Sequence, residues 1–229
     1  MTLFEELTSG GENASKRLQW LPELGIGWYP VDIERAPYDG AYWERYRAMD
    51  QTDMACELTR QRIDLVVKHL PRIGDREVPP FDRPLCVDVG IGGGRFMMQA
   101  PGDWHGFDVN PFAVDWIKQR RAWYDPWLGE VDVATFWDSL EHIHDPRPLL
   151  RNVRRWCFVS LPIFENAEHV LASRHFRRDE HCWYFTNHGF IGLMNLLGFE
   201  CRERNRMEVD AGREDIGTYA FERVREVAQ

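Results

Sequence analysis

The segment from Leu85 to Phe96 constrains the fold of this chain more than any other. An apolar run, Leu85-Cys86-Val87, reaches Asp88 and Val89, glycines follow at 90, 92, 93 and 94, and an apolar-periodic stretch resumes at Phe96. That pattern is a strand, a tight turn and a helix start. The glycine spacing then separates two kinds of nucleotide-derived ligand. A pyrophosphate-binding loop has the register G-x-G-x-x-G, in which backbone and helix N-terminus face the phosphates. Counted from Gly90, the third position of that register is Arg95. The glycines fit D-x-G-x-G-x-G instead, with Asp88 two residues before Gly90. A carboxylate at a strand end suits a cationic amino group, and residues without Cβ let a loop lie against a ligand. The plainer alternative is a glycine-rich turn with no ligand.

Two further strand ends follow in order. Trp104-His105-Gly106-Phe107-Asp108 reads as a short strand ending in an acid, and Pro111 opens a helix that runs to Ile117. An acid about 20 residues beyond the glycine loop of a doubly wound sheet accepts hydrogen bonds from ribose hydroxyls; taken alone, Asp108 can equally be a helix N-cap. Val131-Asp132-Val133-Ala134-Thr135-Phe136-Trp137 is a third strand, closed by Asp138-Ser139-Leu140-Glu141-His142.

Together these motifs resemble those of class I S-adenosylmethionine (SAM)-dependent methyltransferases, with distant similarity to the ubiquinone-pathway O-methyltransferases through the D-x-L-E-H ending. The resemblance runs from about Arg83 to the end of the chain. It implies an α/β fold with a doubly wound, mostly parallel Rossmann-like sheet of seven strands, or a trimmed version of it, carrying an N-terminal helical extension. Residues 1–82 would be the arm and helical lid, and residues 83–229 the core. SAM is the implied cofactor. Asp88 would take its ammonium group, Gly90, Gly92 and Gly94 would cradle it, and Asp108 with Val109 and Asn110 would hold the ribose. Phe136, Trp137 and Asp138 would lie near the sulfonium, where an aromatic face favours a cation. His142, with Glu141 beside it, is a candidate general base, because imidazole titrates near neutrality. His181, in an aromatic segment where relatives carry substrate-binding insertions, is the second candidate. For both, a supporting or loop-capping role is the alternative.

Departures from the family are also visible. The interval between Asp108 and Asp132 is too short for an evident third family strand, so the acid that contacts adenine is missing or is Asp125, which can equally be a turn residue before Pro126. The remaining periodicity predicts a helix over Pro148 to Arg155, a strand over Phe158 to Pro162, a helix over Phe190 to Leu197 closed by Gly198, and strands over Phe199 to Arg204 and Thr218 to Arg223. Upstream, Met1 to Ile33 reads as an arm of low regularity, and a helix is expected from about Gly40 through His69. Tyr38, Tyr42 and Tyr46 recur every four residues on one face. That stripe either packs on the core or closes as a lid, with Tyr38 and Tyr42 near the cofactor carboxylate.

Composition narrows the partners. A net charge of −9 argues against a broad nucleic-acid surface, although Arg151, Arg154 and Arg155, and Arg174, His175, Arg177 and Arg178, form local basic runs. No signal peptide or membrane span is expected, and five cysteines without C-x-x-C spacing suit reduced thiols in a cytoplasmic protein. The histidines show no paired ligand spacing, so no metal site is expected. The acceptor is expected to be a small molecule or sugar, methylated at oxygen by in-line displacement. A nucleobase amine would want a D/N-P-P-Y-type ending where this chain has Trp137-Asp138-Ser139-Leu140. A nucleic-acid or protein methyltransferase and a SAM-binding protein without turnover are the alternatives; the oligomeric state is not legible.

Overall fold

The computed structural model describes residues 17–31 and 38–225, so part of the expected N-terminal arm lies outside the described residues. The chain first forms a hairpin of β1 (Gln19–Leu21) and β2 (Ile26–Trp28), then helices α1 (Gly40–Met49) and α2 (Asp53–His69). A βα alternation follows: β3 (Cys86–Val89), α3 (Arg95–Gln99), β4 (Trp104–Phe107), α4 (Pro111–Gln119), β5 (Val131–Trp137), α5 (Arg147–Asn152) and β6 (Val153–Pro162). The last part holds α6 (Ala167–Ala172), β7 (Trp183–Phe185), α7 (Asn187–Leu196), β8 (Phe199–Asn205), α8 (Met207–Asp210) and β9 (Ile216–Arg223).

The main sheet has the order β4-β3-β5-β6-β9-β8. The β3, β4, β5 and β6 pairings are parallel, and β9 runs antiparallel to both β6 and β8. Alternation along the buried strands divides the core between the two faces. Val87, Val89, Phe136 and Phe221 pack on one side with α7 residues such as Phe190, while Cys86, Val133 and Phe158 pack on the other with Val66, Phe96 and Ile117. This is the expected doubly wound architecture in its trimmed form, with six strands in the main sheet among the described residues. Where a further edge strand would lie, Trp123 makes a single bridge to Gly106; Arg121 at φ 55° and Pro126 interrupt extended pairing there.

Three local expectations change. The hairpin is ordered and pairs β2 with β7 through Ile26↔Phe185 and Trp28↔Trp183, so this part of the N-terminal region belongs to a small second sheet rather than a loose arm. The helix expected from Gly40 to His69 is two helices. Thr52 breaks it, its Oγ1 accepting from the Ala55 N–H at 3.2 Å as N-cap of α2 and donating to the Met49 carbonyl at 2.8 Å. At the same break Asp50 accepts from the Arg95 backbone N–H at 3.1 Å and from its guanidinium at 2.6 Å, tying the helices to the glycine loop. Finally, α5 ends at Asn152 because Val153 already pairs with Val131 of β5.

Candidate active site

From β3 the chain goes to β4 on one side and to β5 on the other, so the strand order reverses at β3. Ligands bind in the crevice beyond the C-terminal strand ends at such a point. A cavity of about 980 Å³ opens there, at the upper end of the roughly 300–1,000 Å³ typical of ligand pockets. Asp88 lies on its wall, almost wholly buried, with Thr135 Oγ1 donating to its carboxylate at 2.7 Å. Burial pushes the Asp88 carboxyl up to about 7, against the pull of Thr135 and Arg62. Gly90 has φ 76°, and a Cβ there would collide with Ser139. Ser139 in turn donates to the Val89 carbonyl at 2.5 Å. The glycine thus lets the β3 and β5 ends close on each other. Gly92 lies on the cavity wall as well.

Asp108, Val109 and Asn110 also reach the cavity. Asn110 is the N-cap of α4, accepting from the Phe112 N–H at 3.0 Å, which leaves Asp108 uncommitted to capping. The Asp108 carboxylate accepts from the Asn110 N–H at 2.8 Å, and burial raises it to about 6. Beside it Phe107 and Trp127 stack at a slant, 4.8 Å between centroids, and both line the cavity. Asp125 does not line it and instead accepts from the Trp127 N–H at 2.9 Å, the turn role.

Two expected cofactor residues are placed elsewhere. Gly94, at φ 88°, is the N-cap of α3, and a Cβ there would strike the Trp116 indole; it is a packing glycine off the cavity wall. Phe136 is fully buried in the opposite core, because alternation along β5 turns Thr135 and Trp137 toward the site and Phe136 away.

Trp137 lines the cavity, with the Arg62 guanidinium 5.0 Å from its ring. Asp138, in the left-handed region at φ 58°, is taken up by an ion cluster not anticipated from the sequence. Arg213 binds its two oxygens at 2.7 and 2.9 Å, and Arg62 reaches it at 3.1 Å. Both arginines also bind the buried Glu208, Arg62 at 2.8 Å. The two guanidiniums hold the Asp138 carboxyl well below the usual range. Arg62 occupies the middle of a buried helical stripe with Leu58, Thr59, Leu65 and Val66. A lone Arg on such a face was the legible signal of a buried ion pair; Arg213 and Glu208 carried none.

Past Asp138 the chain turns through Leu140–His142, and the segment leading into β7 brings His181 from the other side. The rings of His142 and His181 meet edge to face at 4.6 Å, and the Cys182 N–H donates to the Glu141 carbonyl at 2.8 Å, locking the segments together. Donor atoms of Glu141, His142 and His181 lie within 4.8 Å of one another, a grouping that local sequence spacing did not reveal because 39 residues separate His142 from His181. Burial pushes His142 down to about 4 and His181 well below its ordinary value, and holds the Glu141 carboxyl well above. The tyrosine stripe closes this end. Tyr38 hydroxyl is 3.2 Å from His142 Nδ1, Tyr42 donates to Tyr46 at 3.1 Å, and all three rings line the cavity.

A family model described as a methyltransferase domain matches residues 58–204. The chain belongs to the methyltransferase domain family. Among solved structures, the methyltransferase resembles magnesium protoporphyrin IX methyltransferase from Synechocystis with bound S-adenosylhomocysteine, at 16% identity and TM-score 0.56 over 83% of this chain and 98% of that one. It also resembles the Burkholderia thailandensis 1,6-didemethyltoxoflavin-N1-methyltransferase, at 12% identity and TM-score 0.56 over 91% and 100%. These likenesses show the shared fold. A search of the curated proteins gives no match. The methyltransferase is SAM-dependent, and the residues present fit that cofactor: the cavity is walled by the buried acid Asp88, by the second acid Asp108 beside the Phe107–Trp127 aromatic pair, and by the glycines at 90 and 92. Among the described residues, no helix is long and apolar enough to cross a membrane.

Proposed function

We propose that this methyltransferase methylates an oxygen of a small-molecule acceptor held between the sulfonium and the Glu141–His142–His181 end of the cavity. The observation that carries the reading is the continuation of one cavity from the Asp88 and Asp108 end, past Trp137, to the two imidazoles and Arg177. One cofactor does not need all of that volume. SAM supplies a methyl group already activated by its positive sulfur, so the protein's task is alignment. In this reading Asp88 takes the ammonium, Asp108 the ribose hydroxyls, and Trp137 presents an aromatic face to the sulfonium. Asp138 acts indirectly: its ion cluster fixes the turn between Trp137 and Glu141. Tyr38 and Tyr42 form the roof, with α1 as the cover over the bound pair. His142 is neutral at pH 7 because of its burial, and in this reading its ring would offer a nitrogen lone pair to the acceptor end of the cavity.

Calorimetry with SAM tests the cofactor half. Asp108→Ala should lose hydrogen bonds to a charged partner worth about 1.5–3 kcal/mol each, weakening SAM by roughly 10–150-fold per bond lost. Undiminished affinity in a folded variant would remove the ribose assignment. Release of S-adenosylhomocysteine across pools of hydroxylated and amine acceptors tests the other half. Turnover on hydroxyl compounds is the expected result, and turnover confined to amines would overturn the oxygen reading.

A further inference from the structure

Glu141 is 1% exposed, and neither of its carboxylate oxygens has a hydrogen-bond partner. His181, 3% exposed, has its Nδ1 equally without one. A buried polar group in this condition costs free energy and calls for a cause. The neighbouring cations do not supply it. Arg177 is paired with Glu180 at 2.5 Å, and Arg213 and Arg62 are spent on Asp138 and Glu208. The unsatisfied atoms belong to a carboxylate and an imidazole whose third neighbour, His142, is a second imidazole, and all three side chains line the one cavity.

We propose that Glu141, His142 and His181 form a binding site for a single divalent transition-metal ion of the zinc or iron(II) class, placed at the acceptor end of the cavity. Two imidazoles and one carboxylate are the donor set those ions take when coordination positions are left open for water or substrate. The site is built on two segments, the turn after β5 and the residues leading into β7, held together by the Cys182 to Glu141 backbone bond. Ligand atoms within 4.8 Å of one another need only draw in by about an ångström to reach one ion at roughly 2.0–2.1 Å from each, a movement within side-chain rotation. Tyr38 hydroxyl, 3.2 Å from His142 Nδ1, is placed to orient that ring from outside the site.

The inference rests on the proposed methyl transfer to oxygen and gives it a substrate class: acceptors with a hydroxyl able to bind a metal, such as phenols with an adjacent oxygen donor. Bound to the ion, the acceptor O–H is acidified and releases its proton to water. The oxygen then forms the new C–O bond as the S–CH3 bond breaks, and that bond's electron pair stays on sulfur.

The test is titration of the metal-stripped, full-length protein with Co(II), read by visible ligand-field absorption and calorimetry, without acceptor. One ion per chain is expected, and Glu141→Gln and His181→Ala should each weaken it by at least about 10–100-fold, the loss that even outer-shell partners cause. Near-UV circular dichroism checks that the variants are folded. X-ray absorption on the Zn(II)-loaded wild type, which needs no variant, should show two imidazole scatterers. Absence of bound ion, binding of equal strength in both variants, or a zinc shell without imidazole would overturn the site. SAM binding and transfer to hydroxyl compounds by metal-free protein would leave the proposed function standing and sink the metal alone. Metal binding by a protein that methylates only amines would do the reverse.

Discussion

Asp88 carries a conflict between stability and binding at the scale of one side chain. Its folded carboxyl titrates at about 7, whereas in an unfolded chain it would titrate near 3.9. Between those values the folded state holds a proton that the unfolded state has lost, so stability falls as pH rises through the window and levels off above it. Asp88→Asn removes the titration, and its Oδ1 can still accept from Thr135. Melting curves should therefore show the variant gaining on the wild type from pH 4 to pH 8; parallel pH dependence of the two would show that Asp88 is not the source. Over the same window ionisation of Asp88 creates the partner for an ammonium, so SAM affinity in the wild type should rise toward and past pH 7. The site favours binding at some cost to the fold.

At the scale of elements, α2 is joined to the β5 turn through charge rather than apolar contact alone. Arg62 sits on the buried stripe of α2, its side chain 14% exposed, and bridges Asp138 and Glu208. Removing one partner of a buried ion pair leaves an uncompensated charge at a cost of about 3–5 kcal/mol. Arg62→Leu, which keeps much of the volume, should lower the melting temperature by on the order of 10 °C. A loss of only a degree or two would mean that Arg213 alone satisfies both acids. The tyrosines of α1 pose a separate question. If α1 covers the bound ligands, SAM should slow hydrogen exchange across Tyr38 to Tyr46 while leaving β6 unchanged; equal protection with and without SAM would assign the stripe to packing.

At the scale of the molecule, the cavity lies where β3, β5 and the α1–α2 pair meet, so ligand binding should couple to global stability. SAM at 100 times its dissociation constant should add about 2.7 kcal/mol and raise the melting temperature by roughly 5–10 °C. NAD at equal concentration should not, since Arg95 replaces the third glycine of a pyrophosphate loop. A comparable shift with NAD would contradict the glycine register.

The sequence by itself determined what depends on neighbours in the chain. Strand ends marked by Asp88 and Asp108, the glycine register, the βα alternation from β3 to β6 and the closing antiparallel strands were readable because hydrophobic period and turn chemistry are local. Gly94 and Phe136 show the limit of that reading. A glycine in the motif can serve a neighbouring helix, and one step along a strand turns a side chain to the other face. Only the tertiary structure decided that the N-terminal hairpin pairs with Trp183–Phe185, that Arg62 and Arg213 share Asp138 and Glu208, and that Glu141, His142 and His181 meet. Apart from Arg213 with Glu208 and Glu141 with His142, these contacts join residues 39 to 159 positions apart. Their partners are chosen by the geometry of the folded sheet and the cost of burying a charge, neither of which leaves a pattern along the chain.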